Sequence, residues 1–95
     1  MRDESRLRRG LVLQALHAQY PYPLTEAALS RQISVIYLGD ERARARDVAY
    51  LEEKGFLQVE RATVGAVTLR TFKITTAGVD VVEGSTKDAG VELAQ

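Results

Sequence analysis

At Gly55 the chain changes period. Before it, in "ERARARDVAYLEEK", apolar residues recur at helical spacing, with Val48 and Leu51 three apart. After it come two β-prone runs, "FLQVERAT" and "AVTLRTFKIT", with "VGA" between them. Lys54 suits the negative end of a helix, Gly55 the left-handed residue that closes one, and Gly65 a tight turn. A helix that stops on a glycine and runs straight into a hairpin commits this half of the chain to mixed α and β structure. Alternation in the hairpin is imperfect, because Phe72 and Ile74 share a face with Arg70, so the pattern leaves its register open.

Upstream, the spacing of Leu7, Leu11, Ala15 and Ala18 predicts a first helix over Asp3–Gln19, with Asp3 and Glu4 at its positive end. Val12, Leu13 and Leu16 widen the apolar stripe, so burial is expected over much of the circumference. Gly10 costs about 1 kcal/mol relative to alanine there; it either permits close packing or marks a later start. Pro21 and Pro23 in "YPYP" end the helix. A second begins at the N-cap Thr25, with Glu26 in its first turn and Leu24 and Leu29 spaced as a hydrophobic staple, and runs through "EAALSRQI". The next stretch, "SVIYLG", either extends that helix or crosses as an extended connector. Asp40 caps the third helix, and "TTAGVDVVEG" predicts a short fourth that ends at Gly84. Residues 1–84 thus read as one α+β domain, a three-helix bundle followed by a hairpin and a short final helix. The small, polar remainder, residues 85–95, is expected to be disordered.

Charge narrows the partners. The 95 residues hold thirteen Lys and Arg against thirteen acids, and net neutrality counts against a strong, sequence-independent grip on nucleic acid. The distribution is uneven: residues 1–79 carry twelve of the cations and nine of the acids, which leaves a mildly basic body and an acidic tail. With no cysteine there is no disulfide, thiolate metal site or cysteine nucleophile. No apolar run approaches the roughly eighteen residues of a membrane span, so a soluble, cytoplasmic protein is expected. His17, the sole histidine, sits on a mostly apolar helix, the adjacent Glu52 and Glu53 splay by about 100°, and no glycine-rich phosphate loop follows a strand. Neither an enzyme nor a cofactor, metal or small-molecule site is expected.

The junction "DVAYLEEKGFLQVE", residues 47–60, resembles the end of a recognition helix running into the first wing strand of winged helix-turn-helix proteins. Leu51 matches the last-turn core residue, Gly55 the stop, and Phe56 and Leu57 the strand anchors. "FKITTAGVDVVEG", residues 72–84, is similar to the second wing strand and the turn after it, and "YPYPLTEAALSRQI" to the entry of the motif's first helix. The likeness is to small bacterial or phage regulators of the PadR- or MarR-like kind. It implies a winged-helix fold and a transcriptional regulator that binds double-stranded DNA. A homodimer with the first helix as the seam is expected on a separate ground, because pairing gives one small, neutral domain more affinity and a longer site. Such helix pairs are joined by a turn of about three or four residues, whereas Ile33–Asp40 here spans about eight.

Arginine placement then defines a candidate interface. With Val48 and Leu51 facing inward, Arg42, Ala43, Arg46, Ala49, Tyr50 and Glu53 fall on the opposite side. Arg42 and Arg46 would enter the major groove, where arginine commonly pairs with guanine, and Ala43 would let the backbone approach. Arg44, Arg31 and the wing cations Arg61, Arg70 and Lys73 are candidates for phosphate. A solvated helix face would look the same in sequence, and the wing tip, Thr63–Ala66, carries no cation. The competing reading is a winged helix used as a protein-interaction module in a nucleic-acid or phage assembly.

Overall fold

A helix that is apolar round most of its circumference must be wrapped, and the first helix is. In the computed structural model, which describes residues 4–94, it spans Glu4–His17 (α1), and no residue from Ser5 to His17 is exposed. Asp3, expected at its head, lies outside the described residues. The chain continues as β1 (Leu24–Thr25), α2 (Glu26–Tyr37), α3 (Glu41–Glu53), β2 (Leu57–Val64), β3 (Val67–Ile74) and α4 (Thr76–Glu83). The fold is α+β. Helices α2, α3 and α4 and strand β3 all pack on α1, so the helices form a cluster of four rather than a bundle of three with an appendage.

The ambiguous "SVIYLG" is largely helical. Leu29, Ile33 and Tyr37 repeat every four residues and are buried together, which carries α2 to Tyr37. Only Leu38, Gly39 and Asp40 separate α2 from α3, in place of the eight residues counted from sequence. Leu38 makes the corner in the left-handed region, φ 49°, and its amide donates to the Ser34 carbonyl at 2.8 Å. Caps fall where the sequence placed them: Thr25 Oγ1 accepts from the Ala28 amide at 3.1 Å, and Asp40 Oδ1 from Ala43 at 3.0 Å.

The sheet is antiparallel in the order β1-β3-β2; β1, too short for any sequence pattern, pairs Leu24 with Phe72 and Thr25 with Thr71. Gly65, at φ 62°, turns the hairpin, and pairing of Leu57 with Ile74 and Val59 with Phe72 settles its register. One face carries Leu57, Val59, Phe72 and Ile74 onto the helices; toward the tip that same face becomes Arg61, Thr63, Thr68 and Arg70. The other face runs from Lys73 and Glu60 out to Ala62, Val64, Val67 and Leu69. The core joins helices to sheet through Val12, Leu13, Leu16, Leu29, Leu51, Leu57, Phe72 and Ile74, all at most 2% exposed. Burying each of these larger side chains contributes about 1.5–3 kcal/mol.

The tail departs from expectation. Residues 85–94, read as disordered, form a strap that turns at Ala89 and Gly90 and then crosses α1: the Glu92 amide donates to the Arg6 carbonyl at 2.9 Å, Gln14 Nε2 to the Ala94 carbonyl at 3.1 Å, and Val91 is buried. Two apolar side chains on one face of an extended run, Val91 and Leu93, supply the packing that a polar composition concealed. Strap and neighbouring elements leave no residue from Ser5 to His17 fully exposed, so the expected seam along α1 has only part-exposed side chains to offer.

Candidate nucleic-acid interface

The inward turn of Val48 (8% exposed) and Leu51 (0%) sets the rotation of α3. Its exposed side consists of Glu41, Arg42, Ala45, Arg46, Ala49, Glu52 and Glu53. Arg42 and Arg46, one turn apart in its N-terminal half, make no side-chain hydrogen bond or ion pair among the described residues. Glu52 and Glu53 lie about 9–10 Å further along the axis from Arg46, at 1.5 Å per residue. Glu41 shares the head of the helix with the two arginines, while the acidic pair at its foot is separated from them.

Two residues expected on that outer face are not there. Ala43 is 4% exposed and belongs to the core, so the small exposed residue beside the arginines is Ala45. Tyr50 is half-buried: the Arg9 guanidinium stacks 4.0 Å from its ring centre, and its hydroxyl donates to Asp88 of the strap. The Val48–Leu51 pair located the core direction, but α3 packs against α1 as well as against α2 and β2, which widens its buried arc toward Ala43 and Tyr50. Burial first, then the bond to Asp88, pushes the Tyr50 phenol above its usual range. For Asp88, burial opposes ionisation, yet bonds from Tyr50 and the Gly90 amide and the nearby Lys54 hold its carboxyl below the usual range.

Asp47 is 2% exposed, a buried carboxylate on α3. Its oxygens accept from Arg9 Nε at 3.0 Å and from the Tyr37 hydroxyl at 2.7 Å, with Arg8 Nε 3.5 Å away. Burial and then the Asp47 carboxylate push the Tyr37 phenol up. This knot ties α1, α2 and α3 together beneath the exposed arginines. The adjacent Arg8–Arg9 pair on a buried helix is the only trace of it in sequence.

The remaining candidates divide. Arg44 donates to Ser30 Oγ at 3.1 Å and lies 3.9 Å from Glu41, so it braces α3 against α2. Arg70 pairs with Glu26 at 2.5 Å and lies over the Phe72 ring, bracing the hairpin against α2. Arg31, Arg61 and Lys73 are exposed, with no side-chain partner among the described residues. Arg31 lines a shallow hollow with Ser30, Ser34 and Arg44 at the head of α3. Arg61 lies on the hairpin face that continues from the core, and Lys73 on the opposite face. A groove of about 260 Å³ lies between α2, α3 and the sheet; Ser30, Ala45, Ala49 and Val59 line it, with Glu41 and Glu52 on its α3 wall. At the hairpin tip Val64, Val67 and Leu69 are 64%, 57% and 51% exposed.

His17 pairs with Glu83 at 3.2 Å, which spends the sole imidazole on joining α1 to α4. Among the described residues no cluster of His, Asp or Glu is placed to hold a metal, and no helix is long and apolar enough to cross a membrane. No family model, curated protein or solved structure matches the chain.

Proposed function

We propose that the chain is a winged helix-turn-helix protein that binds double-stranded DNA through the head of α3 and acts as a transcriptional regulator. One observation carries this reading. Arg42 and Arg46 stand one turn apart on the outer side of α3, without a side-chain partner among the described residues, while Arg44 and Arg70 are held by the protein's own carboxylate and hydroxyl groups. The three-residue turn between α2 and α3 supports it, because a short turn fixes the second helix of such a pair for entry into a groove. Arg31 and Arg61 are left for phosphate. Glu52 and Glu53 repel phosphate, so only the first two turns of α3 enter. Pairing of two copies would lengthen the site and add affinity.

The test is titration of a random duplex at about 50 mM salt and upward, where phosphate neutralisation is most visible. Binding with a log–log salt slope of about −3, equivalent to roughly three or four phosphates neutralised, supports the reading. Absence of binding at low salt overturns it.

A second reading rests on the hairpin tip. Cross-strand pairs Ala62–Leu69 and Val64–Val67 place four exposed apolar side chains on the face opposite Arg61 and Arg70. A ribbon that turns such a face to solvent suits contact with another protein, and no cation lies between Val64 and Val67 to follow a phosphate backbone. If random duplex is not bound, a protein-interaction module built on this face is the reading that remains.

A further inference from the structure

The strap meets α1 at a glycine of the helix and meets α3 at a glycine of its own. A Cβ at Gly10 would stand 1.9 Å from the Glu92 carbonyl oxygen, and its three nearest atoms all belong to Glu92 and Leu93 of the strap. A Cβ at Gly90 would stand 2.0 Å from the Tyr50 hydroxyl oxygen. Between these two close approaches, Arg9 donates to the Gly90 carbonyl at 3.2 Å while it also stacks on Tyr50 and bonds Asp47. Asp88 accepts from Tyr50 and the Gly90 amide and lies 3.5 Å from Lys54. The strap thus clamps the last turns of α3, Tyr50 and Lys54, onto the first half of α1. The arginine head of α3 lies one to two turns away on the same helix.

We propose that the C-terminal strap is a positioning device for α3, with Gly10, Asp88 and Gly90 as positioning residues that fix the direction in which Arg42 and Arg46 project. The consequence for affinity rests on the DNA-binding reading; the mechanical claim does not. Lifting the strap leaves the core of α1, α2 and the sheet in place, because Val91 is its only buried core residue. It does free the Tyr50 ring, the Arg9 guanidinium and Lys54, so α3 can rock about the Val48–Leu51 contact. Any partner that competes for the strap would then act on the arginines from the far end of the helix.

The full chain carrying Gly10→Ala provides the test, since alanine favours the helix by about 1 kcal/mol while its methyl group evicts the strap. Amide exchange is followed along the whole chain, with duplex titration in parallel. The expected result is loss of protection at residues 88–94, faster exchange from Tyr50 to Lys54, chemical-shift changes reaching Arg46, and cooperative unfolding retained. Duplex affinity then falls roughly 2- to 30-fold, the span such couplings reach. Gly90→Leu, which attacks the same contact from the strap side, should reproduce the pattern. If the strap leaves in either variant while residues 42–54 keep wild-type shifts and exchange, the positioning role is overturned. If the strap stays docked in both, its path over α1 is wrong. Should wild type bind no duplex at all, the exchange measurement still decides the mechanical claim, so failure of one reading is distinguishable from failure of the other.

Discussion

Single residues carry more of this fold than the hydrophobic pattern suggests. Asp47 is a nearly inaccessible carboxylate whose compensation comes from Arg8, Arg9 and the Tyr37 hydroxyl. Removing one member of such a knot strands the others, so Asp47→Ala should destabilise by about 3–5 kcal/mol in urea unfolding. A loss below 1 kcal/mol would mean that water already reaches the arginines. Leu38 presents the reverse case, a β-carbon held at φ 49° on a side chain 86% exposed. The left-handed region disfavours such a residue by about 1–2 kcal/mol, and glycine's extra chain entropy offsets about 0.5–1 of that. Leu38→Gly should therefore raise stability by roughly 0.5–1 kcal/mol; a lower urea midpoint would contradict the corner. Neither residue announced itself in sequence. An aspartate at the end of a run of arginines reads as solvated, and a leucine after "VIY" reads as core.

At the scale of elements, what could be read depended on whether one local rule decided the outcome. Gly55, Gly84, Thr25 and Asp40 each end or cap a helix through their own backbone and side chain, and their positions were legible. Helix α3 was only half legible, since Val48 and Leu51 gave the core direction but the width of the buried arc is set by how α1 lies against it. β1 has two residues and exists only because Phe72 and Thr71 lie beside it. The tail was misread because composition counts residues, whereas docking rests on a few of them: Val91 and Leu93, two glycines facing the right neighbours, and the Asp88 carboxylate. Its electrostatics make a further prediction. The Asp88 carboxyl is held below its usual range, so its contribution to docking is complete above about pH 4 and is lost as pH falls through the lowered value. The Tyr50 phenol is raised, so its contribution is complete below about pH 10 and is lost at higher pH. Protection factors for residues 88–94 should be flat from about pH 5 to 9. A decline near neutrality would place the anchoring charge elsewhere.

For the whole molecule, neutrality conceals a division of labour. Arg8, Arg9, Arg44 and Arg70 are committed to carboxylates, rings and a hydroxyl within the fold. Arg31, Arg42, Arg46 and Arg61 are left facing outward. A net charge of zero is therefore compatible with a local cationic surface at the head of α3, although the acids at its foot confine that surface. The most direct measurement is duplex affinity at low salt for wild type and for the Arg42→Glu, Arg46→Glu double variant, with far-ultraviolet circular dichroism and urea midpoints taken on both. The expected result is binding by wild type and none by a double variant that folds as well as wild type. Undiminished affinity in that folded variant would contradict the central claim, because the outer face of α3 could then not be what meets the DNA.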